Sequence, residues 1–138
     1  MYTMKSLLIL FVIFTANFYV FASPQGKPPS EQELERERQM QKCSKQTGID
    51  HTKLTNEQVL GENVEQEVKC FHACMFKETK IMNDDGTINK EVVFNFPPNM
   101  SPDIKEHLKN LHAPCIELKG DTDCETAFLL FKCLATRQ

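Results

Sequence analysis

The sequence lacks the local motifs of the commonest hydrolases and nucleotide-binding enzymes. It contains no G-x-S-x-G elbow, no G-x-x-x-x-G-K-[ST] phosphate loop and no H-E-x-x-H helix. His107 directly follows Glu106, and neighbouring residues on a helix point in different directions, so this pair has the wrong geometry for an acid–base couple. We therefore expect a protein that is not an enzyme.

The chain also lacks an excess of positive charge. Its 16 Lys and Arg side chains stand against 19 Asp and Glu side chains, which gives a formal net charge of −3. Such a chain is a poor candidate for binding nucleic acid or an anionic membrane surface. Beyond the first residues, no apolar run is long enough to span a bilayer. We expect neither nucleic acid nor a membrane span in the mature protein.

The first residues have the pattern of a secretory signal peptide. Lys5 precedes an apolar run over residues 7–14, and a small residue, Ala22, suits a cleavage site. An uncleaved membrane anchor is the alternative, but the run is short for a span. We predict a signal peptide over residues 1–22 and one secreted domain over residues 23–138.

Six cysteines in an oxidising compartment predict three disulfides. Two pairings are disfavoured by geometry. Cys124 and Cys133 are nine residues apart, about 13 Å along a helix, which is too far to bond. A bridge between Cys70 and Cys74 within one helical turn would be strained. Most other pairings stay open at this point.

Capping residues predict the first two helices. A Ser-x-x-Glu capping box starts a helix at Ser30, which runs to about Thr47, where Gly48 suits the C-terminal cap. The nearly all-charged stretch 31–38 predicts a solvated face rather than a binding site. A second capping box starts a short helix at Thr55.

The third predicted helix carries two cysteines on one face. We interpret residues 66–82 as this helix, and the spacing of four places Cys70 and Cys74 one turn apart. Phe71 and other large apolar side chains share their face. The acidic stretch 83–86 then predicts a turn, and it lacks the ligand pattern of a calcium-binding loop.

The rest of the chain also reads as helical. Asn89 caps a short fourth helix, and an extended Phe-rich segment follows up to Pro97. Ser101 and Pro102 open the fifth helix. The last helix begins near Asp121 and is apolar nearly all round, which is typical of a buried central helix. No second strand is available to form a sheet, so the predicted fold class is all-α.

The cysteines are separated by 26, 3, 40, 8 and 8 residues, and each intervening segment reads as helix. This order, behind a signal peptide, resembles the insect odorant-binding proteins of the classic six-cysteine pheromone- and general-odorant-binding kind. The resemblance implies about six helices around a hydrophobic cavity, stapled by three disulfides. It implies the pairs Cys43–Cys74, Cys70–Cys124 and Cys115–Cys133.

The resemblance also implies a function. It implies a secreted carrier that transports small hydrophobic molecules, such as odorants or pheromones, in sensillar lymph or another body fluid. A chemosensory receptor would be a further partner, no cofactor is needed, and the protein could be a monomer or a homodimer. Two alternatives stay open: a binder of lipophiles in saliva, venom or reproductive fluid, and a secreted signalling or interaction protein with a filled core.

The wall of such a pocket can be sought among the apolar stripes. Plain core packing is the alternative for each of these residues. We predict that the ligand contacts residues of the third helix, the segment after it, the fifth helix and the last helix: Val68, Phe71, Met75, Val92, Phe94, Phe96, Ile104, Leu108, Leu111, Phe128, Phe131 and Leu134.

Three polar features give weaker hypotheses. His72 lies at the edge of the apolar face of the third predicted helix and is a candidate for pH-triggered ligand release. An exposed or hydrogen-bonded histidine is the favoured alternative. Glu78 lies within the same apolar face and could bind a hydroxyl or amine group of a ligand. An exposed glutamate is the favoured alternative. The spacing Cys70-x-His72-x-Cys74 fits no common zinc site, so we expect no metal.

Overall fold

The computed structural model describes residues 28–137, so the predicted signal peptide, residues 1–22, lies outside the described residues. Between residues 28 and 137 there are helices and no named strands, which confirms the all-α prediction. A short 3-10 helix, His51–Lys53, lies between the first two α-helices. The six α-helices are α1 Glu31–Thr47, α2 Asn56–Leu60, α3 Gln66–Glu78, α4 Lys90–Val93, α5 Pro102–Ile116 and α6 Asp123–Thr136.

The helices begin where the capping residues predict. The side chains of Thr55, Asn89 and Ser101 each accept a hydrogen bond from a backbone N–H in the first turn of α2, α4 and α5. These bonds satisfy N–H groups that have no partner inside the helix. Helix α6 begins slightly later than predicted, because Thr122 is its capping residue.

The end of α3 differs from the prediction. The helix ends at Glu78 and not at Met82, because Lys80 has a left-handed backbone with φ of 63°. The chain then turns back, and the Met82 N–H donates to the carbonyl oxygen of Phe76 at 2.9 Å. Met82 also pairs with Ile88 in an isolated antiparallel bridge. Helical periodicity therefore placed Met82 on the wrong element.

The turn between the two bridged residues requires a glycine. Asp85 accepts a hydrogen bond from the Thr87 N–H at 3.0 Å, and Gly86 follows the left-handed path with φ of 84°. A Cβ atom at position 86 would overlap the carboxylate of Asp123, which is paired with Lys77 at 2.7 Å. Both the backbone angle and the close approach therefore favour glycine here.

The core lies between α3 and α6. Helix α3 also packs against α1, and α6 packs against α5. Two groups of buried side chains lie at the α3–α6 contact and include residues from the segments before and after α3. The first contains Val64, Val68 and Phe128, and the second contains Ala73, Met82 and Ala127.

Three disulfides join four of the helices. Two of them are on α3, one leading to α1 and the other to α6, and the third joins α5 to α6. They are the same three pairs that the resemblance to odorant-binding proteins implies: Cys43–Cys74, Cys70–Cys124 and Cys115–Cys133.

Every residue of helix α6 from 123 to 135 is buried or half-buried. Ala127 and Leu130 are fully buried against the rest of the core. Leu129, Phe131 and Leu134 are half-buried. The position of α6 between α3 and α5 agrees with the prediction of a central helix, although apolar side chains such as Phe131 are only half-buried.

Candidate ligand-binding cleft

A cleft of about 830 Å³ lies between α1, α3 and α6. Its volume falls within the range of small-molecule sites, about 300–1,000 Å³. Large apolar side chains from α3, the turn after it and α6 form much of its wall: Phe71, Met75, Phe76, Ile81 and Phe131.

Helix α1 forms the opposite wall. Leu34 and Met40 contribute apolar surface, and polar and charged side chains surround them. The stretch 31–38 is exposed, as predicted, but it also borders the cleft, which the interpretation as a simple solvated face missed. The sequence contained one indication of a contact surface, because Leu34 is the only apolar residue of that stretch. In the structure it is 52% exposed.

His72 is the buried polar group of the cleft. It is 7% exposed, and its ring stacks on that of Phe131 with centroids 4.1 Å apart. The rings of Phe71 and Phe128 lie 6.4 Å away. Burial lowers the pKa of His72 from 6.5 to about 4, so the imidazole is neutral at neutral pH. Among the described residues, none forms a hydrogen bond with its Nε2.

Glu78 is held by an ion pair. Lys42 donates a hydrogen bond to its carboxylate, which links α1 to α3. Lys69 and Glu125 form a similar pair at 2.9 Å between α3 and α6. Glu78 therefore has a structural partner, and the hypothesis of a ligand-binding carboxylate has no support from this contact.

Three of the residues predicted from the sequence border the cleft: Phe71, Met75 and Phe131. Their neighbours Phe76 and Ile81 were not predicted for the wall. No pattern in the sequence pointed to Phe76, which falls on the polar side of a helical wheel. It is half-buried because the chain turns back after α3 and packs Met82 nearby.

Other predicted residues lie elsewhere. Val68 and Phe128 are 2% and 8% exposed and pack together in the core, while Leu134 is half-buried on α6. The alternative of plain packing describes Val68 and Phe128 well.

A second, shallower hollow of about 770 Å³ lies beside α4 and α5. Phe94 and Phe96 border it, with ring centroids 6.2 Å apart. Ile104 is 52% exposed. The other predicted residues of this region are half-buried: Val92, Leu108 and Leu111. The structure thus distributes the predicted residues over the cleft, the core and this second region.

Two other kinds of feature are missing between residues 28 and 137. No helix in this range combines the length and apolar character needed to cross a membrane. In the same range, no three His, Cys, Asp or Glu side chains come together in a group that could hold a metal ion.

Comparison with known proteins identifies the family. The model of the PBP/GOBP family matches residues 27–137. Odorant-binding protein 10 of Aedes aegypti is 28% identical to this chain over 69 residues, covering 50% of the chain and 47% of that protein. The chain thus spans about half the length of the curated relative. Since the family model matches most of the chain, the protein belongs to the PBP/GOBP family, as its cysteine spacing predicted.

Proposed function

We propose that this protein is a secreted, non-enzymatic carrier that binds small hydrophobic molecules, such as odorants or pheromones, in the cleft between α1, α3 and α6. Membership of the PBP/GOBP family supports a carrier role, and the name of the Aedes relative points to odorants. The predicted signal peptide supports secretion.

The apolar wall of the cleft is the observation that carries this proposal. Phe71 and Phe131 present aromatic surface, and Met75 adds a flexible side chain that adapts to guests of different shape. Removing apolar surface from water contributes about 25 cal/mol per Å². A guest of modest size can therefore gain most of its binding free energy from contact with this wall.

The anchoring of α3 explains how the cleft persists. Val68 and Ala73 pack tightly in the core, while Cys70 and Cys74 tie the same helix to α6 and α1. The disulfides stabilise the fold by restricting the unfolded chain. Their contribution can offset the apolar contacts that an open cleft gives up.

The residues of α4 and α5 remain part of the proposal as a second contact region. Phe94 and Phe96 already present aromatic surface to the hollow beside α5. We propose that these rings and their apolar neighbours form a second contact surface for hydrophobic molecules.

The test uses the absence of tryptophan from the chain. We expect the wild-type protein to bind one molecule of the fluorescent probe N-phenyl-1-naphthylamine per chain. Met75→Trp and Phe131→Trp should each change the affinity for the probe severalfold, because the larger ring occupies part of the cleft. The introduced tryptophan should also transfer excitation energy to the bound probe.

Leu118→Trp is the matched control. Leu118 is 38% exposed and borders neither of the two hollows described above. This variant should bind the probe as the wild type does, with weaker energy transfer. The proposed site is wrong if Phe71→Trp, Met75→Trp and Phe131→Trp all leave the affinity unchanged while circular dichroism shows that they are folded.

A further inference from the structure

We propose that the cleft prefers neutral hydrophobic molecules that carry a hydroxyl group, and that Nε2 of His72 binds this hydroxyl. The inference rests on the proposed function, since the cleft must first accept a guest. It adds a ligand class and names the residue that selects it.

The first step is the unsatisfied nitrogen. His72 is 7% exposed, and its Nε2 has no hydrogen-bond partner among residues 28–137. Buried polar groups are nearly always hydrogen-bonded, because an unpaired one has lost its contact with water and gained nothing in return. A guest that supplies the missing partner therefore gains more from this contact than from an ordinary surface hydrogen bond.

The second step is the position of the imidazole. His72 borders the cleft together with Phe71, Met75 and Phe131. It lies on α3 between Cys70 and Cys74, and both of these cysteines are cross-linked to other helices. The backbone that carries the imidazole is thus held in place, which is what a group that orients a ligand requires.

The third step is the chemistry of the partner. A neutral imidazole nitrogen is a donor in one tautomer and an acceptor in the other, and a hydroxyl group can serve as either partner. A hydrocarbon would leave Nε2 unpaired. A carboxylate would have to lose its hydration beside the apolar side chains of Phe131 and Met75, which is costly for a charge. An alcohol fits both the nitrogen and the wall.

The fourth step is access to the nitrogen. Nε2 has no solvent contact in the structure, so a neighbouring ring must move before a guest can reach it. Phe71 and Phe128 are buried, whereas Phe131 is half-buried and borders the cleft. Phe131 is therefore the ring with room to shift, and its displaced face can pack against the apolar part of the guest.

The experiment compares 1-decanol with undecane, which has the same number of non-hydrogen atoms. Each displaces N-phenyl-1-naphthylamine from the wild type and from His72→Phe, a variant that keeps an aromatic ring but loses Nε2. We expect the ratio of the affinity for decanol to that for undecane to fall about tenfold in His72→Phe. Because both ligands occupy the same cleft, this ratio is insensitive to a general change that the new side chain causes in the cleft. His72→Gln, which retains a donor and an acceptor, should recover part of the affinity for decanol.

A second measurement follows ligand binding in the wild type alone and uses a variant only to assign the resonance. The imidazole ¹⁵N resonance of His72 Nε2, identified by its absence from the spectrum of His72→Phe, should shift when decanol is added to the wild type. Undecane should leave it in place or cause a much smaller shift. This readout follows the hydrogen bond itself, which a merely structural role of His72 would not change.

The outcomes separate this inference from the proposed function. If the wild type binds the probe and His72→Phe keeps the wild-type ratio of affinities for decanol and undecane, the role of His72 is overturned while the carrier proposal stands. An Nε2 resonance that does not shift at saturating decanol would also overturn it. If the wild type takes up neither the probe nor undecane, the carrier proposal itself fails, and the inference fails with it.

Discussion

The α3–α6 pair and the α4–α5 pair differ in how much of their surface they bury. Helix α4 contains no buried residue, and in α5 only Cys115 is buried. Helices α3 and α6 each bury four residues: Val68, Phe71, His72 and Ala73 on α3, and Thr126, Ala127, Phe128 and Leu130 on α6. The cleft is therefore built on the better packed pair.

The ion pairs follow the same division. Lys77 and Asp123 join α3 to α6 at 2.7 Å and are partly screened from solvent. Lys90 and Glu117, also 2.7 Å apart, connect α4 to the end of α5 and are mostly exposed. Exposed pairs contribute little to stability. The comparison indicates that α3 and α6 form a firm base, whereas α5 depends more on the disulfide that joins it to α6.

The largest expected effect comes from removing one disulfide in each region. Cysteines 70 and 124 are 54 residues apart, and cysteines 115 and 133 are 18 apart. In the chain-entropy model, replacing the first pair with alanine lowers the free energy of unfolding by about 4 kcal/mol, and replacing the second by about 3 kcal/mol. Urea unfolding of the two double variants measures both losses.

Hydrogen exchange sharpens this test. Loss of the Cys115–Cys133 bond should speed amide exchange mainly in α5, since that helix has little buried surface to hold it. Loss of the Cys70–Cys124 bond should speed exchange in α3 and α6 together. The comparison of the two regions is wrong if removing the α5 bridge is the more damaging change or if it loosens α3 first.

The second effect compares two leucines. Leu130 on α6 is fully buried, and Leu108 on α5 is half-buried. Leu130→Ala should lower the free energy of unfolding by about 3 kcal/mol, because it removes apolar contacts and leaves a cavity. Leu108→Ala should cost about 1 kcal/mol, since the half-buried side chain gives up less apolar contact. Equal losses in urea unfolding would mean that α5 is as well packed as α6.

Local signals explain why much of the fold could be predicted from the sequence. The caps at Thr55, Asn89 and Ser101 depend on hydrogen bonds within one turn, so the residues themselves carry the information. The cysteine spacing led to the family and hence to the pairs that the structure contains. These features involve few competing interactions.

Contacts between distant segments explain what could not be predicted. The periodicity of α3 continues to Met82, but the reversed chain and the bridge to Ile88 end the helix earlier. Phe76 gains its neighbours from this reversal. The part of α1 around Leu34 reads as solvated because its role depends on what lies opposite it. Of the twelve residues predicted for the wall, three border the cleft, Phe71, Met75 and Phe131, because helix packing decides which apolar residues share a hollow.

The third expected effect is a pH dependence of stability that arises in the α3–α6 pair. Burial lowers the pKa of His72 from 6.5 to about 4, so the folded state favours the neutral imidazole. The contribution of the neutral His72 to the free energy of unfolding is fully present above pH 6.5. It is lost as the pH falls towards 4, because the unfolded chain then binds a proton that the folded chain excludes. It amounts to about 2 kcal/mol between pH 7.5 and pH 5.

His72→Phe should remove this part of the pH dependence, and His107→Phe, at an exposed position of α5, should leave it unchanged. Urea unfolding at pH 7.5 and pH 5 measures the difference. The ammonium groups of Lys69 and Lys132 lie 5.3 and 5.8 Å from the Phe128 ring, which is itself 6.4 Å from the His72 ring, and Lys69 is paired with Glu125. If the His72 imidazole titrates near pH 6.5 in the folded protein, the prediction is wrong. The α3–α6 pair would then lose no stability in acid through this residue.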